Sequence, residues 1–471
     1  MPQDLIAPIR AHLDGLLEHA PIRTGPDPCA LWFSALDLRT KRYPEDAARP
    51  ESIGKRVYRY IDAPHGSSLY WDQPQVAACH ALSARLGEPK YAEAADACVR
   101  DFLKRCVSHT GVYLWGNHFY WDARLGRAMF FKGDDVPHPV DPAAETGAYH
   151  ECRPLPPAWG SFWRVDAEGC ARAVREATAR HVFDPQSGGF NRHADRKRVH
   201  AFIEAGGIVA ESAAWLYART REPELLERAL RVARFSFDSR NPSTGLLEND
   251  RTSKRWDKLV CTTEVGLWAG SILRAGEYTG EAAFAETAGE AVRAFLHYGF
   301  DEKAGKYYGK LNVADGAPSL GPKTTEYQPG DHADLWAPLF PAHDYPLALG
   351  ETCVRLYERT GDAVFAAAVR RLAAQMARER PARGGRGAYA EHYGRGIWFL
   401  KHAGDVLREP AFDEQARALA AEALETLFAH GMFRGHPGEE RYDAVDGVGL
   451  LLLALLYLQD GAPPDGMGFG F

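Results

Sequence analysis

LGEPKY (86–91), TREPEL (220–225), TGEAAF (279–284), TGDAVF (360–365) and LREPAF (407–412) are five versions of one punctuation mark. In each, a helix is expected to stop at Gly or Arg, and an acidic residue opens the next helix where the helix dipole favours negative charge. Pro or Ala occupies the new first turn, and an aromatic side chain or Leu anchors it. A second recurring element, FDPQSGGF (183–190), FDSRNPSTGLL (237–247) and FDEKAGKYY (300–308), follows the second helix of several pairs and reads as a turn into a long polar, aromatic-rich loop. Self-similarity of this kind describes one helical array, so a single domain is expected over 1–471.

Outward from these turns, the first helix of each pair is expected near 73–86, 146–163, 200–219, 258–278, 333–359, 394–407 and 446–458. The second helices fall near 89–106, 166–182, 222–236, 281–297, 362–379 and 411–429, and an N-terminal helix at 3–19 can close the ring as the seventh. The first helices carry Gly, Ala and Trp, as in AGGIVAESAAWLY and TTEVGLWAGSIL, which suits a wall buried on most sides; the second helices are amphipathic and bear Arg and Glu. The expected fold is all-α, an (α/α) toroid of seven hairpins, and with no strong alternating pattern any sheet should be small.

Composition narrows the function. A net charge of −7 and a pI near 6.2 provide no global basic field, which argues against nucleic acid and anionic membrane as partners. The eight cysteines contain no CxxC pair and read as small core residues. VGLLLLALLYL (448–458) is too short to span a bilayer. MPQDLIAPIRAHLDGLLEHA has charges where a signal peptide has an unbroken apolar stretch, so a cytoplasmic location is expected, or a periplasmic or secreted one for a chain trimmed of its signal.

If the short turns lie on one face of the toroid, the long loops gather on the other. Those loops hold WGNHFYWD (115–122), AYHECR (148–153), GGFNRHADRKR (188–198), LLENDRTSKRW (246–256) and AYAEHYGRG (388–396). Aromatic rings stack on apolar sugar faces and Arg forks match carboxylates, which points to an acidic oligo- or polysaccharide as substrate. Removing the C5 proton of a uronate requires the neighbouring carboxylate to be blunted first. An amide such as Asn117 can stabilise the developing enolate oxygens, His118 can move the proton, and a Tyr can protonate the departing O4. The substrate-facing candidates are Trp115, Tyr120, Trp121, His150, Arg153, Asn191, His193, Asn249, Arg251, His392 and Arg395, with Tyr149 and Tyr393 as candidate acids.

GNHFYW (116–121) resembles the NNHxYW signature of family 5 alginate lyases, (α/α) toroids that cleave uronate chains by β-elimination. The resemblance implies that Asn117 neutralises the carboxylate and that His118 takes part in proton transfer. AYHECRPLPP, with Tyr149, His150 and Arg153, resembles that family's downstream YH segment and implies Tyr149 as acid. Gly116 stands where the family has its first Asn. A seven-hairpin architecture is similar to that of family 38 alginate and glucuronan lyases.

The expected function is therefore a polysaccharide lyase acting on alginate, glucuronan or a similar uronate glycan, with no cofactor. A glycoside hydrolase is the alternative and needs two carboxylates from Asp72, Asp122, Glu151, Glu264, Asp331 and Asp334. A sugar epimerase is another, because GGF after an outer helix resembles N-acylglucosamine 2-epimerase-like toroids. Glu204 and Glu211, seven apart on one helical face, read as buried hydrogen-bonding groups of the inner wall. Although there are 18 histidines, no HExxH occurs and no metal is assigned; a set drawn from separate loops, such as His150, Glu151 and His193, stays open.

Overall fold

The computed structural model describes residues 4–44, 66–131, 136–141, 143, 149–252, 258–323, 328–336, 346–381 and 387–464. The chain opens with α1 (Ile6–His19) and continues through six hairpins: α2 (Leu69–Leu86) with α3 (Lys90–Arg105), α4 (Trp159–Val165) with α5 (Ala167–His181), α6 (Ile203–Thr220) with α7 (Pro223–Phe237), α8 (Thr262–Thr279) with α9 (Ala282–Tyr298), α10 (Pro346–Thr360) with α11 (Ala363–Arg378), and α12 (Ala390–Leu407) with α13 (Pro410–Leu427). A last inner helix, α14 (Val448–Asp460), packs against α1, whose neighbour Leu5 donates its backbone N–H to Gln459 Oε1 at 3.1 Å. The fold is an (α/α) toroid of seven hairpins.

The repeated turns work as local chemistry requires. Gly87, Arg221, Gly280, Gly361 and Arg408 all adopt left-handed φ between 57° and 79°, which ends each inner helix. Glu222, Glu281, Asp362 and Glu409 then stand at the N-caps of the following outer helices, and Pro223 and Pro410 begin two of them. The anchors Tyr91, Leu225, Phe284, Phe365 and Phe412 are buried, each contributing about 1.5–3 kcal/mol of apolar transfer.

The inner wall runs α6–α8–α10–α12–α14–α2, each helix against the next. Its backbones approach so closely that side chains do not fit between them. A Cβ on Gly266 of α8 would lie 2.3 Å from the Leu349 nitrogen of α10, and one on Gly449 of α14 would lie 2.6 Å from the Gln75 nitrogen of α2. Polar links carry the ring through α4: Gln73 Nε2 donates to Pro156 O and Gln73 Oε1 accepts from Ala158 N, both at 2.9 Å, while Trp159 Nε1 donates to Ser212 Oγ at 3.0 Å.

Two expected helix boundaries are corrected. Of the helix expected from 146, residues 144–148 lie outside the described residues, 149–158 are not α-helical, and the helix is seen from Trp159, after Pro154, Pro156 and Pro157, which disfavour helical backbone before it. The helix expected from 333 is seen as α10 from Pro346; residues 333–336 are not helical, and 337–345 lie outside the described residues. Sheet is small, as expected: the largest among the described residues is a four-stranded antiparallel one of short strands, Gly66–Ser67, Phe119–Asp122, Arg127–Phe131 and Pro137–Pro139, built through the WGNHFYWD segment. All four residues of Phe119–Asp122 are buried, so the strand has no alternation by which to announce itself.

No described helix is long and apolar enough to cross a membrane.

Candidate active site

Every long connection runs from the end of an outer helix to the start of an inner one, so these loops share one face of the toroid. On that face three short segments lie side by side. Trp115 donates its N–H to Tyr149 O and accepts from Glu151 N, each at 3.0 Å. On the other side, Cys152 N donates to Arg192 O at 2.8 Å and Ala194 N to His150 O at 3.1 Å. Extended backbone alternates its side chains, so Glu151 and Arg153 share one face of the middle segment and His150 and Cys152 the opposite one. Gly116 has φ +123°, and a Cβ there would lie 3.2 Å from the Glu151 Cβ. That conformation excludes the Asn of the resembled signature.

Glu151 is the centre of the resulting cluster. Its carboxylate forms ion pairs with Arg153 Nε at 3.0 Å and Arg192 Nε at 3.1 Å, and lies 3.5 Å from His118 Nε2 and 3.7 Å from His193 Nε2. Arg153 also approaches His118 Nε2 at 3.4 Å. The Glu151 side chain is 2% exposed, whereas His118, Arg192 and His193 keep 18%, 23% and 26%, so these three form the solvent-facing side. Burial alone would push the Glu151 carboxyl up; Arg153 and Arg192, then His118 and His193, outweigh it and hold the group well below the usual carboxylate range. Burial takes His118 down to about 4, with Glu151 opposing and Arg153, Arg192 and His193 reinforcing. At neutral pH His118 is an uncharged base beside two guanidinium groups and one carboxylate, a cluster with net positive charge.

The sequence candidates divide. His118, Arg153 and His193 meet at Glu151, and Asn117, in the turn beside His118, is buried with no hydrogen-bond partner for Oδ1 among the described residues. Several others are turned into the framework. Trp115 packs on Tyr70, Phe102 and Phe162, and donates Nε1–H to Leu155 O at 3.3 Å; Tyr120 packs on Phe131, and Trp121 lies under Arg105. These rings are core, which corrects their reading as sugar platforms. His150 faces His181, and Asn191 clamps its own loop by donating to Asp195 Oδ1 at 2.6 Å and accepting from His200 N at 3.0 Å. Arg251 stacks on Phe235, and Asn249 is buried where its backbone pairs with Ile203 and Leu259. His392 and Arg395 are buried on α12, the former against Tyr389 and the latter 3.4 Å from Glu391. The Tyr149 hydroxyl accepts from Asp141 N at 3.2 Å among Phe119 and Phe130, and Tyr393 donates to Glu422 on the outer helix α13 at 2.9 Å. The described contacts bring neither tyrosine to His118.

Sequence reasoning passed over Arg192 and the central part played by Glu151. It also set aside Glu204, in the first turn of inner helix α6. Glu211 meets that reading, forming a two-pronged ion pair with Arg274 at 2.7 and 2.8 Å, whereas Glu204 Oε2 is buried with no hydrogen-bond partner among the described residues. Burial, reinforced by the charge of Glu264 on α8, lifts Glu204 to about 8, and the charges of Arg192 and Arg153 also reach it. It therefore carries a proton at neutral pH. Of the other acids weighed for hydrolysis, Asp72 is tied to Ser34 at 2.6 Å and Tyr442 at 3.1 Å, and Asp122 accepts from the backbone of Arg124 and Leu125. Asp331 likewise takes the Gly321 N–H and Asp334 that of Trp336. His118, Glu151 and His193 are donors of the kind that hold a divalent cation, and His150, Cys152 and His181 form a second such set.

The sequence model of a family described as periplasmic pectate lyase matches residues 71–202, under half of the chain but including every residue around Glu151. That description corrects the expected cytoplasmic location, because the matched family is periplasmic. Among solved structures, a family 76 glycoside hydrolase from a bovine Bacteroides thetaiotaomicron strain is similar with a TM-score of 0.51 and 12% identity, covering 98% of this chain and 78% of its own. A D-mannose isomerase is similar with a TM-score of 0.50 and 11% identity, covering 96% and 97%. At these identities the likeness establishes the toroidal fold alone.

Proposed function

We propose that this protein is a carbohydrate-active enzyme, a polysaccharide lyase that cleaves a uronate-containing glycan by β-elimination. The observation that carries the reading is the cationic, partly open cluster around Glu151, with a neutral imidazole at its edge, inside the segment matched by the pectate lyase family. Arg192, the more exposed guanidinium, receives the uronate carboxylate. The Asn117 amide donates to a carboxylate oxygen as charge builds there, and His118 accepts the C5 proton. The C5–H electron pair becomes the C4=C5 bond, the C4–O4 bond breaks, and O4 takes a proton from Glu204. Tyr149 and Tyr393 are left as framework residues.

A second reading, hydrolysis, is favoured by one observation only: Glu204 holds a proton beside the Glu264 carboxylate, a pair of the type that glycosidases use. The products separate the two. Incubation with polygalacturonate, mannuronan and glucuronan is expected to produce unsaturated ends, seen as new ultraviolet absorbance with at least one polymer, and His118→Ala is expected to abolish it. Saturated ends would establish hydrolysis instead, and unchanged chain length with a new monosaccharide would establish isomerisation.

A further inference from the structure

Behind the Glu151 segment lies a second chemical cluster that the elimination does not use. His150 and Cys152 project from the face opposite Glu151 and Arg153, and meet His181, the last residue of α5. His150 Nδ1 is 2.9 Å and Cys152 Sγ 3.5 Å from His181 Nε2, and the three donor atoms all lie within 4.8 Å of one another. All three residues are buried. We propose that His150, Cys152 and His181 bind a transition-metal ion of the zinc class, placed behind the Glu151 segment and structural in role.

The geometry supports this in three ways. His181 Nδ1 is 2.7 Å from Asn191 O, a contact that requires its proton on Nδ1 and turns the Nε2 lone pair toward the other two residues. Metal-bound histidines are oriented by just such a bond from the second ring nitrogen. The spacing also fits: around a tetrahedral ion with bonds of about 2.0–2.1 Å to nitrogen and 2.3 Å to sulfur, neighbouring N and S atoms lie about 3.5 Å apart and two nitrogens about 3.3 Å. The nitrogen pair has only to open by roughly 0.4 Å, within reach of a small side-chain rotation. Finally, without an ion the single lone pair on His181 Nε2 faces two donors, the His150 ring N–H and the Cys152 S–H, whereas an ion gives each donor atom its own coordination position. An N,N,S set selects a borderline or soft ion over magnesium or calcium. On binding, the Cys152 thiol loses its proton to solvent as the metal–sulfur bond forms, and the His150 ring proton moves from Nδ1 to Nε2 by exchange with solvent, which frees the Nδ1 lone pair for the ion. The ion would pin three segments, 150–152, the end of α5 and the 191–194 loop, and so fix the strand that presents Glu151 and Arg153.

The test uses the whole folded chain, stripped with a chelator and reloaded with cobalt(II) or zinc(II). Cobalt is expected to bind with a thiolate-to-metal charge-transfer band in the near ultraviolet, and Cys152→Ser to lose that band. The Glu151 cluster contains no sulfur, so an ion held there cannot produce the band, and the outcome is independent of whether the protein is a lyase. X-ray absorption at the zinc edge of the unaltered protein supplies a reading that needs no variant: one sulfur at about 2.3 Å with nitrogen at about 2.0 Å. A zinc shell without sulfur, failure to bind either ion, or an unchanged charge-transfer band in Cys152→Ser overturns the proposal.

Discussion

Replacing Glu151 with Gln tests whether the cluster is organised as described. The substitution keeps the side-chain volume and removes the negative charge at the centre of Arg153, Arg192, His118 and His193. The buried Arg153 loses the carboxylate 3.0 Å from its Nε, and removing one member of a buried pair costs about 3–5 kcal/mol; partial exposure of Arg192 places the expected loss near the lower bound. Unfolding entropy of about 2.1 cal/mol/K per residue over 471 residues is about 1 kcal/mol/K, so this loss lowers Tm by about 3 °C. Calorimetry and urea titration of the unaltered protein, Glu151→Gln, Arg192→Gln and the double variant measure both the loss and the Glu151–Arg192 coupling, which is expected to exceed about 0.5 kcal/mol. The same substitution removes the charge that holds the His118 pKa up, so the acid limb of kcat/KM is expected to move to lower pH. A stability change within about 0.5 kcal/mol, the range of an ordinary surface substitution, together with an unmoved acid limb, would refute the account.

The unaltered enzyme should keep its kcat/KM from neutrality down to about pH 5 and lose half near pH 4, as His118 becomes protonated; a limb near 6.5 would remove His118 as the base. The sign for stability is the same: the folded pKa lies below the unfolded value of 6.5, so this contribution is whole above 6.5 and is lost as pH falls through 4, an effect of about 3 kcal/mol readable by urea titration across that window. Gly116→Ala places a Cβ at φ +123° against Glu151 and should cost about 1–3 kcal/mol with a fall in turnover, measured by calorimetry and the elimination assay. Tyr393→Phe removes the hydroxyl that bonds Glu422, so about 0.5–1.5 kcal/mol of stability should go while kcat stays unchanged.

What could be read from the sequence followed the range of the interactions. The hairpin turns were legible because their chemistry is local: Arg221 and Arg408 end helices in the same left-handed conformation as Gly87, and the acid that follows each of these two stands at the N-cap position of the next helix, where the dipole favours its charge. Residue 118 was legible through its motif. The cluster it joins was not, because Glu151 and Arg192 reach His118 only through two backbone pairings between segments far apart in the chain. Aromatic content misled at Trp115 and Trp121, since a ring packed in a small sheet and a ring exposed to a sugar look alike without their neighbours. Glu204 was set aside beside Glu211 because helical spacing reveals a shared face but not that Arg274 serves only one of the two.

The pairing of α1 with α14 has a consequence for how the molecule comes into being. Leu5 bonds to Gln459 across 454 positions, and α14 must slot between α12 and α2 before the buried flanks of either are covered. Contacts this distant cannot form until nearly the whole chain is available, so every nascent or translocating length short of α14 is an open arc with two greasy rims. Helix α14 acts as the keystone, and factors that shield the rims until it arrives should govern the yield of finished rings.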